Sequence, residues 1–143
     1  MRRFLLLIPL VFLPLIFLGG CAPSRDTADS KLAAACVAEV KASFADEKEN
    51  VTAKDSSFAF QKAYDGARLR VVTLKADYTY GTGDPEHKTY TCAYAEEWSL
   101  FSWLPEFYNL QRDNDKFGNF GGTLQGDPAI LTRISDASDK ALH

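Results

Sequence analysis

Hydrophobic and polar positions change period several times along this chain, and each change marks a predicted element. Leu32, Cys36, Val40 and Phe44 recur every four positions with Ala33 and Val37 beside them. This is the apolar stripe of a helix, read from about Lys31 to Glu47 with Ser30 as its N-cap. The pattern then turns to period two. Ser57–Tyr64 places Phe58 and Phe60 on one face, Arg68–Tyr80 places Val72, Leu74, Ala76, Tyr78 and Tyr80 on one face, and Glu86–Trp98 aligns Tyr90, Cys92, Tyr94 and Trp98. Asp65-Gly66 and Gly81–Pro85 break these runs, and so short a break between two long strands predicts an antiparallel hairpin. After Trp98 the apolar residues crowd without a clean period around Pro105, with a fourth strand near Glu106–Arg112 and a loop rich in Asn and Gly over Asp113–Gly122. Asp127-Pro128 reads as an N-cap and a first-turn proline ahead of Ile130, Leu131, Ile134 and Ala137 at helical spacing. The expectation is an α+β domain: an N-terminal helix packed on an antiparallel three- to four-stranded meander, with a short C-terminal helix.

The start of the chain follows a different rule. Arg2 and Arg3 precede an apolar run from Phe4 to Leu18 that contains Pro9 and Pro14. That run falls short of the roughly twenty apolar residues a helix needs to span a bilayer, and it reads as an export signal. It ends in Leu18-Gly19-Gly20-Cys21, which resembles the lipobox of bacterial lipoproteins. The resemblance implies cleavage between Gly20 and Cys21, a diacylglycerol on the Cys21 sulfur, and a fatty acid such as palmitate on the new amino terminus. Several acyl chains make a stable anchor where one is marginal. Ala22, where such lipoproteins carry aspartate for inner-membrane retention, implies the outer membrane and a periplasm-facing domain. The organisation expected is a signal peptide over 1–20, a flexible polar tether over 21–30, and a single α+β domain over 31–143.

Composition adds limits. The full chain has 16 basic and 19 acidic residues; without Arg2 and Arg3, 14 face 19, a net charge of −5. An acidic balance argues against a nucleic-acid partner, which requires clustered Lys and Arg to displace counterions from phosphates. With Cys21 lipidated, Cys36 and Cys92 remain as an even pair in an exported protein, the setting for a disulfide. Both lie on the apolar faces of their elements, so both thiols point inward, where helix packs on sheet. Two distant cysteines with His87 and His143 do not supply the ligand cluster that zinc prefers.

Candidate chemistry is sparse. Asp113, Asp115 and Gly118 echo the first, third and sixth positions of a calcium loop, but Phe117 and Leu124 stand where oxygen ligands belong, so a polar turn is the reading. His87, near Asp84 and Glu86, has no nucleophile or orienting group at hand, and no Gly-rich loop follows a strand to hold phosphate. Glu96 and Glu97 point to opposite faces, which puts one carboxylate on the apolar side. No catalytic constellation, metal site or cofactor motif is expected, and the chain is not read as an enzyme. The candidate binding surface is the aromatic group Trp98, Phe101, Trp103, Phe107 and Tyr108, weighed against core packing of most of it and against membrane contact by Phe101 and Trp103. Tyr90-Thr91-Cys92 is similar to the Tyr-x-Cys strand of lipid-anchored lysozyme inhibitors, without the Ser-Gly-x-x-Tyr loop those proteins use, and no family is assigned to the mature domain. Two functions follow: a lipid-anchored module that docks on another envelope protein, or a small-ligand or inhibitor protein with a pocket under a curved sheet.

Overall fold

The computed structural model describes residues 21–143; the expected signal peptide over 1–20, with Leu18, Gly19 and Gly20 of the lipobox, lies outside the described residues. Helix α1 spans Arg25–Ser43. Six strands follow, β1 (Glu49–Lys62), β2 (Arg68–Tyr80), β3 (Glu86–Trp98), β4 (Trp103–Arg112), β5 (Asp115–Phe120) and β6 (Thr123–Gln125), and helix α2 (Pro128–Leu142) closes the chain. The strands form one antiparallel sheet in sequence order, with the two helices packed on each other and on the same face of it. The fold is thus α+β as expected, with six strands rather than three or four.

The apolar stripes explain the packing. Leu32, Cys36 and Val40 are fully buried on α1 and meet Val72, Leu74, Tyr90, Cys92, Tyr94 and Leu110 from the sheet. Cys36 and Cys92 form a disulfide, Cα to Cα 5.7 Å, joining helix to sheet. On α2, Asp127 accepts from the amides of Ala129 and Ile130 as the N-cap, and Ile134 and Leu142 complete the core.

Helix α1 begins six residues earlier than the pattern suggests, and this corrects the expected tether over 21–30. Ser24 is the N-cap, accepting from the Thr27 amide at 3.2 Å, and Asp26 sits in the first turn where the helix dipole favours negative charge. Ala28 extends the every-fourth stripe and is fully buried. Asp29, on the buried side, is held by Arg70, whose guanidinium bonds both carboxylate oxygens. Packing here runs through a small residue and a buried ion pair, which apolar content does not register. At the other end the helix stops at Ser43 rather than Glu47, with Phe44 extended as its C-cap.

Strands β5 and β6 replace much of the expected loop. Asp113, in the left-handed region at φ 51°, and Asn114 turn β4 into β5, so that Arg112 faces Asp115. Strand β4 also starts earlier than expected and includes Pro105, because β5 pairs only with Asn109–Arg112 and leaves the outer edge at Pro105 free of ladder bonds. A bulge on β4 makes Tyr108 an extra residue between Phe107, opposite Tyr94, and Asn109, opposite Ala93. Gly118 accommodates that bulge at φ +100°: a Cβ there would lie 2.5 Å from the Tyr108 carbonyl oxygen and 2.8 Å from the Asn109 Cα. Gly118→Ala is expected to lower stability by about 2–3 kcal/mol through the clash and the positive φ, read by urea unfolding.

Candidate functional site

The sheet face opposite the helices is uncovered, and it is concave. Its floor is built from short side chains at alternate positions, Leu69 and Val71 on β2, Thr91 and Ala93 on β3. Ala93 and Leu69 are buried without any helix above them, which measures how far the sheet curls over its own floor. The curl brings the β1–β2 turn to the β5–β6 turn: the Tyr64 ring lies against Gly122, where a Cβ would sit 3.1 Å from its Cδ1. The result is a trough of about 340 Å³ walled by Tyr64, Tyr108 and Phe120.

The polar groups along the trough are amides. Gln61, Asn109, Gln111 and Asn119 line it, with Lys62 the one charged lining residue. Asn109 donates through Nδ2 to the Asn119 carbonyl at 2.8 Å, which leaves its own side-chain oxygen as an acceptor. Asn119 Oδ1 in turn accepts from the Gly122 amide at 3.0 Å and fixes the β5–β6 turn. A largely apolar floor, aromatic walls and neutral amides give a surface suited to hydrogen-bonding, uncharged matter, with Lys62 as its one charge.

The aromatic residues of the candidate surface do not form one site. Trp103 is buried, and its indole Nε1 donates to Glu96 Oε1 at 2.8 Å. Phe107 is partly buried against the core, and the bulge turns Tyr108 to the trough on the opposite face. Trp98 and Phe101 remain exposed on the β3–β4 hairpin, Trp98 packing on Trp103 with ring centroids 5.9 Å apart and planes tilted by 41°.

Glu96 is the carboxylate on the apolar side. It accepts from both terminal guanidinium nitrogens of Arg25 at 2.8 Å and from the Trp103 indole, so its oxygens are satisfied. Arg25 also bonds Asp29 at 2.8 Å and lies 4.9 Å from the Trp98 ring centroid. The start of α1 is thereby pinned to the base of the β3–β4 hairpin.

The remaining candidates are surface features. His87 Nδ1 lies 2.7 Å from Asp77 with its side chain 90% exposed, and Lys54 lies 3.0 Å from the same carboxylate. Hydrogen bonds first from Lys54 and then from His87 lower the Asp77 pKa. Asp113 sits in the β4–β5 turn and Asp115 pairs with Arg112 at 2.8 Å. Among the described residues no group of three or more His, Cys, Asp or Glu is placed to hold a metal ion.

Gln61, Tyr64, Asn109, Gln111, Asn119 and Phe120 were not indicated as a site by the sequence. The available signal is the second face of β3, where Thr89, Thr91, Ala93 and Ala95 are all small and uncharged although the pattern assigns that face to solvent. No protein-family model, curated protein or solved structure matches the chain.

Proposed function

We propose that this chain is a lipid-anchored lipoprotein of the bacterial cell envelope that acts as a protein-interaction module, taking its partner in the trough on the uncovered face of the sheet. The observation that carries the reading is that both helices occupy one face while Tyr64, Tyr108 and Phe120 stand around a small-residue floor on the other. Tyrosine gives large contact area for little loss of side-chain entropy, and amides adapt their hydrogen bonds to a partner backbone. An uncharged, extended segment of another envelope protein fits these groups. The anchor rests on the Arg2–Leu18 signal pattern and on Cys21, which is exposed and lies three residues before the Ser24 cap. Ala22 favours the outer membrane with the domain in the periplasm. No described helix is long and apolar enough to cross a membrane. No catalytic step, cofactor or nucleic acid belongs to this reading.

A small-ligand function is the second reading, supported by the same trough. Its volume of about 340 Å³ is at the low end of the roughly 300–1,000 Å³ of small-molecule sites. Tyr64 at the rim is 81% exposed, so a small ligand would stay wet on one side. A longer partner that runs past the rim covers Tyr64 as well.

Site-specific photo-crosslinking in intact cells tests the assignment. A crosslinking residue at position 108 is expected to give a discrete protein adduct, and one at position 80, at the far end of β2, is expected to give none. Gln61→Glu, an isosteric change that replaces an amide donor by a carboxylate, should diminish the position-108 adduct by at least about tenfold, through loss of the donor and the cost of desolvating the charge under a partner. Adducts of equal yield at both positions, or an adduct indifferent to Gln61→Glu, contradict the trough as the docking surface.

A further inference from the structure

The exposed large hydrophobic residues are unevenly placed. Leu100 and Phe101 form the tip of the β3–β4 hairpin at 80% and 68% exposure, with Trp98 and Leu104 exposed beside them. The stretch from Trp98 to Pro105 reads Trp-Ser-Leu-Phe-Ser-Trp-Leu-Pro and contains no charged residue. At the opposite end of the sheet Tyr80 is exposed, but its hydroxyl bonds Asp46 at 2.8 Å, and the turns there are the polar Gly81–Pro85 and Asp113-Asn114.

The charge-free tip lies at the end of the domain where the chain emerges from Cys21. Between Cys21 and the Ser24 cap stand only Ala22 and Pro23, both half-buried. Three residues reach at most about 10 Å when fully extended. Arg25, the next residue, is clamped to Glu96, two positions before Trp98. A lipid on Cys21 therefore holds the headgroup layer against this end of the domain and no other.

The turn itself is prepared for a less polar layer. The Ser99 amide donates to the Ser102 carbonyl at 2.9 Å, and the Ser102 and Phe101 amides donate to the Ser99 hydroxyl at 3.0 and 3.4 Å. Three of the tip's amides, those of Ser99, Phe101 and Ser102, are thus paired inside the turn, which lowers the cost of dehydrating it. Trp98, amphipathic and just behind the tip, is the residue type that settles at a membrane interface.

We propose that the β3–β4 hairpin is a second membrane contact, which inserts Leu100 and Phe101 into the boundary between headgroups and acyl chains of the bilayer that holds Cys21. This inference rests on the lipid-anchor reading given above. It fixes the posture of the domain: the strands stand away from the membrane and the turns at Gly81–Pro85 and Asp113-Asn114 are outermost. The anchor then acts as one foot and the hairpin as the other, and the domain does not swing freely on its lipid.

Tryptophan quenching by brominated acyl chains tests this with the lipidated full-length product reconstituted in phosphatidylethanolamine–phosphatidylglycerol vesicles. The wild-type protein should float with the vesicles and show quenched tryptophan emission. Leu100→Ser with Phe101→Ser should float equally but lose at least about two-thirds of the quenching, since the apolar area that draws the tip inward is gone. Trp98→Phe should remove the quenched component and leave the emission of buried Trp103. Flotation without quenching in the wild type overturns the second contact while the anchor stands. Failure to float overturns the anchor and this inference with it. Quenching unchanged in the double variant, with an unaltered circular dichroism spectrum, also overturns it.

Discussion

Replacing Cys36 and Cys92 together by alanine is expected to lower the free energy of unfolding by about 4 kcal/mol, the chain-entropy value for a loop of this size. The two cysteines are 56 positions apart, one on α1 and one midway along β3, so the cross-link spans β1, β2 and the first half of β3 and shortens every unfolded conformation of about half the domain. Against the usual total of about 5–15 kcal/mol, such a loss leaves a marginal protein. Because the effect acts mainly on the unfolded chain, the urea m-value should rise as the midpoint falls, since a chain without the cross-link exposes more surface. A loss below about 1 kcal/mol, or an unchanged m-value, would show that the bridge does not act in this way.

Stability should also fall between about pH 4.5 and pH 7, and Glu39 is the cause. Its side chain projects from α1 into the core, fully buried, where the Tyr94 hydroxyl donates to Oε2 at 2.9 Å while Oε1 has no partner. Ser138 on α2 lies close enough to favour the charged form somewhat, but no hydrogen bond of ordinary geometry joins them, and burial dominates. Burial pushes the Glu39 carboxyl up to about 7. The same burial, with Glu39 beside it, raises the Tyr94 hydroxyl well above its ordinary value.

The sign follows from which state holds the proton. Below the unfolded pKa, about 4.5, both states are protonated and the full stability is present; between that value and about 7 the unfolded chain ionises first and stability is lost. The whole loss is on the order of 3 kcal/mol, complete above the folded pKa. Glu39→Gln keeps the shape and the acceptor for Tyr94 but carries no charge. It should flatten the pH dependence in this window and leave the variant more stable than the wild type at pH 8. Chemical denaturation at pH 4.5, 6 and 8 reads the effect, and parallel pH curves for the two proteins would refute it.

Much of the fold was legible because periodic burial wrote it into the sequence. Strands β2 and β3 end where the period-two patterns end, Arg68–Tyr80 and Glu86–Trp98, and Asp127-Pro128 starts α2 as a cap and first-turn proline should. The misread parts are those where another interaction replaces apolar burial. The first turns of α1 are held by Asp29 with Arg70 and by Arg25 with Glu96, polar residues that make the segment resemble a solvated tether. Strand β1 begins eight residues before its apolar pattern, at Glu49, because as an edge strand it is exposed over most of its length and is ordered by its ladder with β2. Strands β5 and β6 are short and flanked by the turn glycines Gly121, Gly122 and Gly126, and Gly118 within β5 is required by the bulge at Tyr108, which the local sequence does not announce.

The trough was hidden for a related reason. Sequence patterning separates a face of large apolar residues from the other face and assigns the latter to water. Here the second face is curled into a concavity by the sheet's twist and the β4 bulge, and its walls come from a turn (Tyr64), a bulge (Tyr108) and a strand end (Phe120), none of which follows the strand period. The aromatic run from Trp98 to Tyr108 was misleading in the opposite direction. Adjacent in sequence, its members divide among hairpin tip, core and trough.

The central claim, a disulfide-stapled domain anchored by lipid on Cys21, is tested most directly by the intact mass of the protein extracted from membranes, measured with and without reductant and alkylation. The expected result is loss of residues 1–20, added acyl mass on the chain that begins at Cys21, and two alkylated thiols that appear only after reduction. A chain that retains its first twenty residues, or begins at Cys21 without acyl mass, would contradict it.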